Sequence, residues 1–428
     1  MATTDVETAD LVVVGAGPAG LSAAIEARRL GIARVVVLER EAAAGGIPRH
    51  CGHSPYGLAG FGRPMTGPAY ARRLVARALS AGVALRTATT VVALGSGPRL
   101  TVASDAGVSD IAAARVLLAT GVRETPRSAR LVGGTRPSGV MNTGALQGLV
   151  YLEGERPFRR PVIVGSELVA FSAVLTCRHA GIRPVAMVEE GLRPTARFPS
   201  ALLPRLLGIP LWTDTRVDAI EGARRVEAVV LRGPDGERRR VPCDGVVFTG
   251  RFRPDAVLVR ESHLALDAAT GGPVVDQFGR TSDPAVFAAG NLLRPVETAV
   301  WSFREGRVAA RLLARDVAGM LPAAEGSLPV AIRGDAVAWV VPQRLVPGAP
   351  AGVLQLRVSR PVRGRLVLRH GETVLGERAV DALPERRLLM RIDAIPQDAA
   401  GEAELDLQDE PPRGVLSPKP APWRAGAP

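Results

Sequence analysis

Residues 11–39 contain a glycine turn between an apolar strand and a helix, and no other pattern in the chain restricts the possible folds as strongly. Residues 11–14 are apolar and predict a buried parallel strand, and Gly15, Gly17 and Gly20 follow with the spacing G-x-G-x-x-G. In such a turn the first glycine permits the tight bend, the second leaves room for a pyrophosphate, and the third lets the helix pack closely on the strand. The N–H groups and the dipole at the start of the helix favour a phosphate there.

A second apolar strand at 35–38 ends in Glu39, about 20 residues after the glycine turn, as in dinucleotide-binding folds. A carboxylate at this place can accept hydrogen bonds from both ribose hydroxyls. Strand, turn, helix and acidic strand end together predict a dinucleotide site. The alternative is a glycine turn that only packs helix on sheet. The candidate cofactor-binding residues of this unit are Gly15, Gly17, Pro18, Ala19, Gly20, Glu39 and Arg40.

The composition excludes several classes of protein. The chain has 428 residues, enough for two or three domains, and a hydrophobic fraction of 46% without an apolar run of membrane-spanning length. Its net charge of +12 comes from scattered arginines, aromatic residues make up 4%, and no nucleic-acid-binding motif occurs. The N-terminus does not resemble a targeting peptide, and the three cysteines, which form no motif, fit a reducing compartment. We expect a cytoplasmic protein that binds no nucleic acid and does not insert into membranes.

The segment H-C-G-H at 50–53 concentrates reactive side chains in a chain with five histidines. Cys51 could act as a redox thiolate whose pKa is lowered by Arg49 and His50. Alternatively, His50 or His53 could perform acid–base chemistry on a substrate. All three side chains could also be structural. The segment offers too few ligands for a metal site, so no metal is expected. His50, Cys51 and His53 are therefore the catalytic candidates.

The rest of the first unit returns the chain to the dinucleotide turn. A small-residue loop at 42–47 and an amphipathic helix at 68–80 precede a strand-rich stretch at 83–118. This stretch ends in A-T-G, a sharp turn that is predicted to lie beside the first strand. Further candidate cofactor-binding residues here are Gly45, Gly46, Ile47, Val91, Thr120 and Gly121.

A second nucleotide-fold pattern begins near residue 160, with strands at 161–164 and 185–188 around a helix at 167–180. Its turn keeps only the first glycine of the motif, Gly165, and Glu167 replaces the middle one. A glutamate there adds bulk and negative charge beside two anionic phosphates. The pattern predicts a nucleotide fold in which NAD(P) binding is lost or much weakened.

The last third of the chain contains a strand at 281–293 that runs into Gly290 and Asn291, followed by a helix at 300–320. Beyond residue 321 the segments AVAWVV, VLQLRVS, GRLVLRH, RLLMRID and AELDL read as short strands, and a proline-rich tail begins at 411. We expect a small all-β domain used in dimerisation or partner docking, and a disordered tail.

Over residues 10–320 these landmarks resemble the FAD-dependent pyridine nucleotide-disulfide oxidoreductase superfamily. In its two-domain members a G-D pair, here Gly290 and Asn291, meets the flavin phosphate and ribityl chain. A narrower subgroup is similar in further motifs. This subgroup includes the flavoprotein accompanying glycerol-3-phosphate dehydrogenase and, more distantly, the FAD subunits of opine and amine dehydrogenases and of hydrogen cyanide synthase. The motifs are G-G-I at 45–47, Cys51, His53, Y-G at 56–57, T-G-P at 66–68, Tyr70 and W-V-V-P-Q at 339–343.

The resemblance implies an α/β fold with two Rossmann-like dinucleotide-binding domains, the second nested in the first, plus a small C-terminal all-β domain. The expected divisions are an FAD domain in two segments, a nested domain, the β domain and the tail, at 1–125 with 246–320, 126–245, 321–410 and 411–428. The implied cofactor is FAD. The chain lacks the paired redox cysteines of disulfide reductases and a cysteine cluster for an iron–sulfur centre, so disulfide reduction is not expected.

The expected function is an FAD-dependent oxidoreductase, one subunit of a heteromeric dehydrogenase, which passes electrons from a small organic donor through flavin to a partner. The partner would be a second redox subunit, or the chain would form a homodimer. One alternative is a non-catalytic FAD-bearing scaffold or electron-relay subunit. The other is an NAD(P)H-dependent flavin oxidoreductase.

Overall fold

In the computed structural model, residues 6–196 and 200–409 are described. The first part of the chain builds a sheet of seven strands with order β3-β2-β1-β6-β5-β4, and the late strand β18 (Val286–Ala288) pairs parallel with β6. The elements are β1 (Glu7–Val14), α1 (Pro18–Arg29), β2 (Val35–Leu38), α2 (Leu58–Phe61), α3 (Gly67–Ser80), β3 (Ala84–Arg86), β4 (Thr90–Gly95), β5 (Arg99–Ser104) and β6 (Gly107–Leu118).

Strand β1 is longer than its apolar run, because it pairs with β6 from Glu7↔Ile111 onward. Only its last four residues are buried on both faces and read as a continuous apolar segment. The sequence therefore predicts the C-terminal half of this strand.

Three helices cover one face of this sheet. α1 lies between α3 and α8 (Ala299–Val317), and the Ser22 hydroxyl donates a hydrogen bond to the Phe303 carbonyl at 2.8 Å. Gly306 makes this approach possible, since a Cβ there would lie 2.0 Å from the Ala19 carbonyl oxygen. The start of α1 and the start of α8 are thereby held at the same end of the sheet, the end at which β1 stops.

The nested part of the chain forms a parallel sheet of order β12-β11-β10-β16-β9, beside a smaller sheet of order β15-β14-β13-β8. Its elements are β7 (Val122–Arg123), β8 (Gly133–Gly134), β9 (Val140–Asn142), α4 (Thr143–Tyr151), β10 (Pro161–Val164), α5 (Leu168–His179), β11 (Ala186–Val188), α6 (Leu203–Leu206), β12 (Leu211–Trp212), β13 (Arg216–Glu221), β14 (Ala228–Arg232), β15 (Arg238–Pro242) and β16 (Gly245–Phe248). The pattern of apolar residues does not predict the meander β13–β15, because arginines and acidic residues interrupt the alternation along these strands.

The chain then passes through β17 (Arg253–Pro254), which pairs with β7, and α7 (Val257–Arg260) before returning to the first sheet by β18 and α8. The C-terminal strands form two sheets around their own core. They are β19 (Leu328–Ile332), β20 (Val337–Val341), β21 (Arg344–Leu345), β22 (Gly352–Val358), β23 (Val362–His370), β24 (Thr373–Ala382), β25 (Leu388–Ile392) and β26 (Ala403–Asp409). The predicted tail at 411–428 lies outside the described residues.

Strand β20 belongs to two hydrophobic cores. Val337 and Val340 pack within the C-terminal β domain, whereas Trp339 and Val341 pack with the residues behind the first sheet. Two hydrogen bonds of 3.0 Å between Gln343 and the main chain of Val275 join the same regions. The fold is thus the predicted α/β arrangement of two nucleotide-fold sheets with a C-terminal β region. Among the described residues, no helix is long and apolar enough to cross a membrane.

Candidate cofactor and reaction site

The three glycines of the first turn have different surroundings. A Cβ at Gly15 would lie 2.6 Å from the Ala119 carbonyl oxygen, and one at Gly20 would lie 1.9 Å from the Gly15 carbonyl oxygen. A Cβ at Gly17 would meet nothing within 4 Å, although Gly17 directly precedes α1 and caps it without a side chain. Packing of the protein therefore explains Gly15 and Gly20 but not Gly17. The open space beside Gly17, at a helix N-terminus with free N–H groups, fits a bound phosphate.

Glu39 lies at the carboxyl end of β2 and faces the same turn. One carboxylate oxygen accepts the Ala16 N–H at 2.9 Å and the other accepts the Glu41 N–H at 3.0 Å. The residue is 9% exposed, so this carboxylate is fixed beside the glycine turn. Val91 is buried on strand β4. Arg40 instead reaches Asp255 at 3.1 Å.

The remaining cofactor candidates surround the start of α1. Gly46 approaches Gly17 so closely that a Cβ on Gly46 would lie 2.8 Å from the Gly17 Cα. A Cβ on Gly290 would lie 2.8 Å from the Ala19 Cβ, and the Thr120 hydroxyl donates to the Asp255 carbonyl at 2.7 Å, next to Gly121. Ile47 stays 55% exposed. Residues from several separate segments of the sequence therefore meet at one end of the sheet.

Asn291 has a structural task that the sequence does not reveal. Its amide donates to the Glu297 carbonyl at 3.1 Å and its carbonyl oxygen accepts the Glu297 N–H at 2.8 Å. This pair of bonds closes the loop between β18 and α8. Asn291 thereby positions the start of α8. An ionised aspartate at this position could accept the Glu297 N–H but could not donate to the Glu297 carbonyl.

The loop at 50–53 packs on the nested domain through Gln147 of α4. Gln147 is 2% exposed, accepts a hydrogen bond from the Cys51 thiol at 3.2 Å, and donates to the Ser172 hydroxyl on α5 at 2.6 Å. Gly52 allows the contact, because a Cβ there would lie 2.2 Å from the Tyr151 ring. Sequence reasoning missed Gln147, since only the folded chain brings it near Cys51.

The redox alternative for Cys51 requires a lowered pKa, and the surroundings of the thiol have the opposite effect. Burial raises the pKa of this thiol to about 11, and the Arg49 guanidinium is occupied by Glu41 and by the Ala43 carbonyl at 2.7 Å. The thiol is therefore protonated at neutral pH and does not have the environment of a redox thiolate.

The two histidines differ in their surroundings. His50 is 9% exposed, its Nδ1 is buried without a hydrogen-bond partner, and burial lowers its pKa. Burial also lowers the pKa of His53, which is half-buried and lies with its ring centroid 5.4 Å from that of Tyr56. Both rings are consequently neutral at physiological pH. A neutral imidazole with a free nitrogen can accept a proton, so the geometry keeps His50 as an acid–base candidate.

The second nucleotide turn is filled by its own glutamate. The Glu167 side chain folds back against the turn, where one carboxylate oxygen accepts the Ser166 N–H at 3.1 Å. A Cβ on Gly165 would lie 2.7 Å from that carboxylate, and one on Gly250 would lie 2.3 Å from it. Burial is the main cause that raises the pKa of Glu167. The carboxylate therefore occupies the space in which the middle glycine of a functional motif would admit a phosphate.

Two more charged side chains close the same crevice at the carboxyl ends of β10 and β16. Glu124 accepts the Gly144 N–H at 2.8 Å and the Gly250 N–H at 3.2 Å, and burial raises its pKa. Arg130 donates to the carbonyls of Thr249 at 2.8 Å and of Gly250 at 3.0 Å. Ligands of nucleotide folds bind at this edge of the sheet. Here the edge is filled by residues of the chain.

A buried cluster of charges joins the loop after β18 to the C-terminal domain. Arg294 is fully buried, donates to the Gly290 carbonyl at 2.8 Å and pairs with Glu305 of α8. Glu297 lies 3.5 Å from both Arg357 and Arg387, which come from β22 and from the turn before β25. The sequence gives no sign of this cluster, because its members are scattered among many other arginines.

Comparison with known proteins agrees with this geometry. The family model described as pyridine nucleotide-disulphide oxidoreductase matches residues 9–306. The thioredoxin reductase of Treponema pallidum (strain Nichols) is 28% identical over 293 residues, covering 66% of this chain and 88% of that protein. An opine oxidase subunit of Agrobacterium tumefaciens (strain Ach5) is 28% identical over 316 residues, covering 66% of this chain and 61% of that protein.

Among solved structures, T. acidophilum thioredoxin reductase superposes with a TM-score of 0.63 at 24% identity, over 73% of this chain and 99% of the other. This similarity shows a shared fold. The family match spans both nucleotide-fold sheets and the loops that converge on Gly17. The chain belongs to the pyridine nucleotide-disulphide oxidoreductase family, and its cofactor is FAD.

Proposed function

We propose that this chain is the FAD subunit of a dehydrogenase that takes electrons from a small organic donor and delivers them to a partner, without using NAD(P)H. The observation that carries the proposal is the contrast between the two nucleotide turns. The first has free space at Gly17, whereas the second is filled by the Glu167 carboxylate. The similar opine oxidase chain is, by its name, one subunit of an oxidase.

The residues around Gly17, with Glu39 and Gly46, would hold FAD, which supplies the acceptor for a hydride. The loop at 50–53 would line the reaction site from the side of the nested domain. His50 is the residue we assign to proton transfer, since its buried Nδ1 has no partner among the described residues. Cys51 holds this loop to α4 through Gln147, and we assign it no redox role.

An anaerobic absorbance titration of the FAD-loaded protein with NADH and NADPH tests the proposal. We expect no bleaching of the flavin by either nucleotide, although dithionite reduces it. Stoichiometric bleaching by micromolar NADH would contradict the proposal.

A gain-of-function variant makes the test sharper. Glu167→Gly empties the second turn, so NAD(P)H reactivity that appears only in this variant would identify Glu167 as the block. The matched control is Glu155→Gly, an exposed position outside the crevice, which leaves the turn itself filled. If both variants stay inert while remaining folded, the rest of the crevice also lacks what a nicotinamide cofactor needs.

A further inference from the structure

The helices that cover the first sheet present a surface of arginines. The acidic residues of α1, α3 and α8 are Glu26, Glu305 and Asp316, and their side chains are 4%, 16% and 11% exposed. Glu26 is surrounded by three arginines, and Glu305 and Asp316 pair with arginines that come from outside the layer. The negative charges thus point inward. The exposed arginines of the same helices are Arg29, Arg72, Arg73, Arg77, Arg304, Arg311 and Arg315.

The charge imbalance extends to the loops at the end of the layer where the cofactor candidates lie. Residues 42–104 contain no aspartate or glutamate. Arg49, Arg86 and Arg99 of this stretch pair with carboxylates from elsewhere. Within the described residues Arg63, Arg73, Arg77 and Arg304 have no ion pair, although carboxylates neutralise many other arginines of the chain.

These four arginines lie in the loop after the short helix α2 and on α3 and α8, two helices that contact it. Arg73 stacks 5.0 Å above the centroid of the Phe61 ring, and Arg77 donates to the Gly60 carbonyl at 3.2 Å. Gly60 sits against Phe303 of α8, next to Arg304. The middle of this group is apolar, since Leu58 is 50% exposed. An exposed apolar residue inside a charged rim is the usual composition of a protein interface.

We propose that α2 and the surrounding Arg63, Arg73, Arg77 and Arg304 form the docking surface for an acidic redox-partner protein. The proposal rests on the proposed function, in which electrons leave the flavin for a partner. Charge complementarity selects an acidic partner, because four unpaired guanidinium groups attract carboxylates and speed their encounter. A nucleic acid would also need exposed aromatic side chains or a longer basic track.

The position of this surface suits electron transfer. The loop that contains α2 is closed by main-chain hydrogen bonds between Tyr56 and Met65, of 2.8 and 2.9 Å. Behind it, the rings of Tyr56 and Phe61 both lie with centroids 5.9 Å from that of Tyr70. Gly67 of α3 donates its N–H to the Cys51 carbonyl at 3.1 Å, so the candidate reaction loop directly adjoins this aromatic cluster. Tyr70 and the start of α3 therefore connect the docking surface with the loop at 50–53.

The experiment measures binding of the full FAD-loaded chain to an immobilised acidic [2Fe–2S] ferredoxin, used as the probe. We expect binding at about 20 mM NaCl that weakens at least about tenfold by about 200 mM NaCl, because salt screens the attraction. The double variant Arg63→Glu with Arg304→Glu should weaken binding at low salt by about tenfold or more. Its FAD content and thermal midpoint should stay unchanged, since neither side chain is buried.

The matched control is Arg156→Glu with Arg159→Glu, an exposed pair on the nested domain that changes the net charge equally. We expect this control to bind the ferredoxin within about twofold of the parent. Equal weakening in both variants would show unspecific charge attraction and would overturn the proposal. Absence of binding at low salt would also overturn it, as would binding to phosphatidylglycerol vesicles without binding to ferredoxin. None of these results depends on NAD(P)H, so they are distinct from a failure of the proposed function.

Discussion

The cofactor site can be tested at Gly17, because its open surroundings separate ligand binding from folding. Gly17→Ala adds a Cβ that meets nothing within 4 Å, and the backbone, with φ −80° and ψ −175°, is allowed for alanine. We expect the unfolding free energy of the apoprotein to change by no more than about 1 kcal/mol, the scale of an N-cap substitution. Gly20→Ala is the contrast, since its Cβ would lie 1.9 Å from the Gly15 carbonyl oxygen.

The cost of Gly17→Ala should appear only when FAD binds. A methyl group in the phosphate space weakens at least one charge-assisted hydrogen bond, each worth about 1.5–3 kcal/mol. That corresponds to a loss of FAD affinity of about 10- to 100-fold. At saturating FAD the ligand-induced stabilisation should then fall by about 1.4–2.7 kcal/mol. For Gly20→Ala we expect a loss of about 1–3 kcal/mol or more already in the apoprotein, because the helix must move away from the turn.

The assay combines urea denaturation of both apoproteins with an FAD fluorescence titration. The reasoning would be refuted if Gly17→Ala bound FAD within about threefold of the parent. It would also be refuted if Gly17→Ala destabilised the apoprotein as much as Gly20→Ala. The first result would mean that no phosphate lies beside Gly17, and the second would mean that the space beside Gly17 is not open.

Three further predictions concern buried groups. The pKa of Glu167 in the folded chain is raised above 4.5, so the folded chain retains a proton that the unfolded chain releases, and stability falls as the pH rises from that value. Glu167→Gln should therefore stabilise the protein more at about pH 8 than at about pH 4.5. A stabilisation that does not depend on pH in urea denaturation would contradict this. Because the pKa of the Cys51 thiol is about 11 instead of 9.0, Cys51 should react with iodoacetamide at least about a hundredfold more slowly than a cysteine peptide at the same pH. Equal alkylation rates of Cys51 and the peptide, measured by mass spectrometry, would contradict the burial of this thiol. Arg294→Met should cost about 3–5 kcal/mol by removing the closer of the two ion pairs of Glu305, which would keep only Arg387 at 3.8 Å. Glu305→Gln in the same chain should restore part of that loss; denaturation of the single and double variants measures both, and no rescue would argue against the pair.

Local geometry explains why the first nucleotide unit could be predicted. Gly15 and Gly20 answer contacts with a few neighbouring atoms, Gly17 leaves its surroundings open, and Glu39 needs only to end the next strand. The apolar strands of parallel sheets are buried on both faces and read as unbroken runs. These features are written in consecutive residues, so the fold class and the geometry of the glycine turn can be predicted from the sequence alone.

The other features depend on contacts between distant segments. The replacement of a glycine by Glu167 is visible in the sequence, but the return of its carboxylate into the turn depends on Thr249 and Gly250, which follow strand β16. In the sequence Arg49 stands two residues before Cys51 and favours a lowered pKa, but in the folded chain its guanidinium contacts Glu41 and the Ala43 carbonyl. Burial beneath Gln147 dominates instead, and no periodicity of the sequence reports it.

The dual packing of β20 bears on how the chain unfolds. Alternate side chains of one strand complete the C-terminal core and the core behind the first sheet, so neither core is whole without the strand. Truncation of the chain near residue 321, where the composition of the sequence changes, would remove Trp339 and Val341 from the core behind the first sheet. It would also remove Arg357 and Arg387, the ion-pair partners of Glu297. The C-terminal strands are thus not a detachable module. The two regions should melt in a single cooperative transition, with the flavin released at the same temperature.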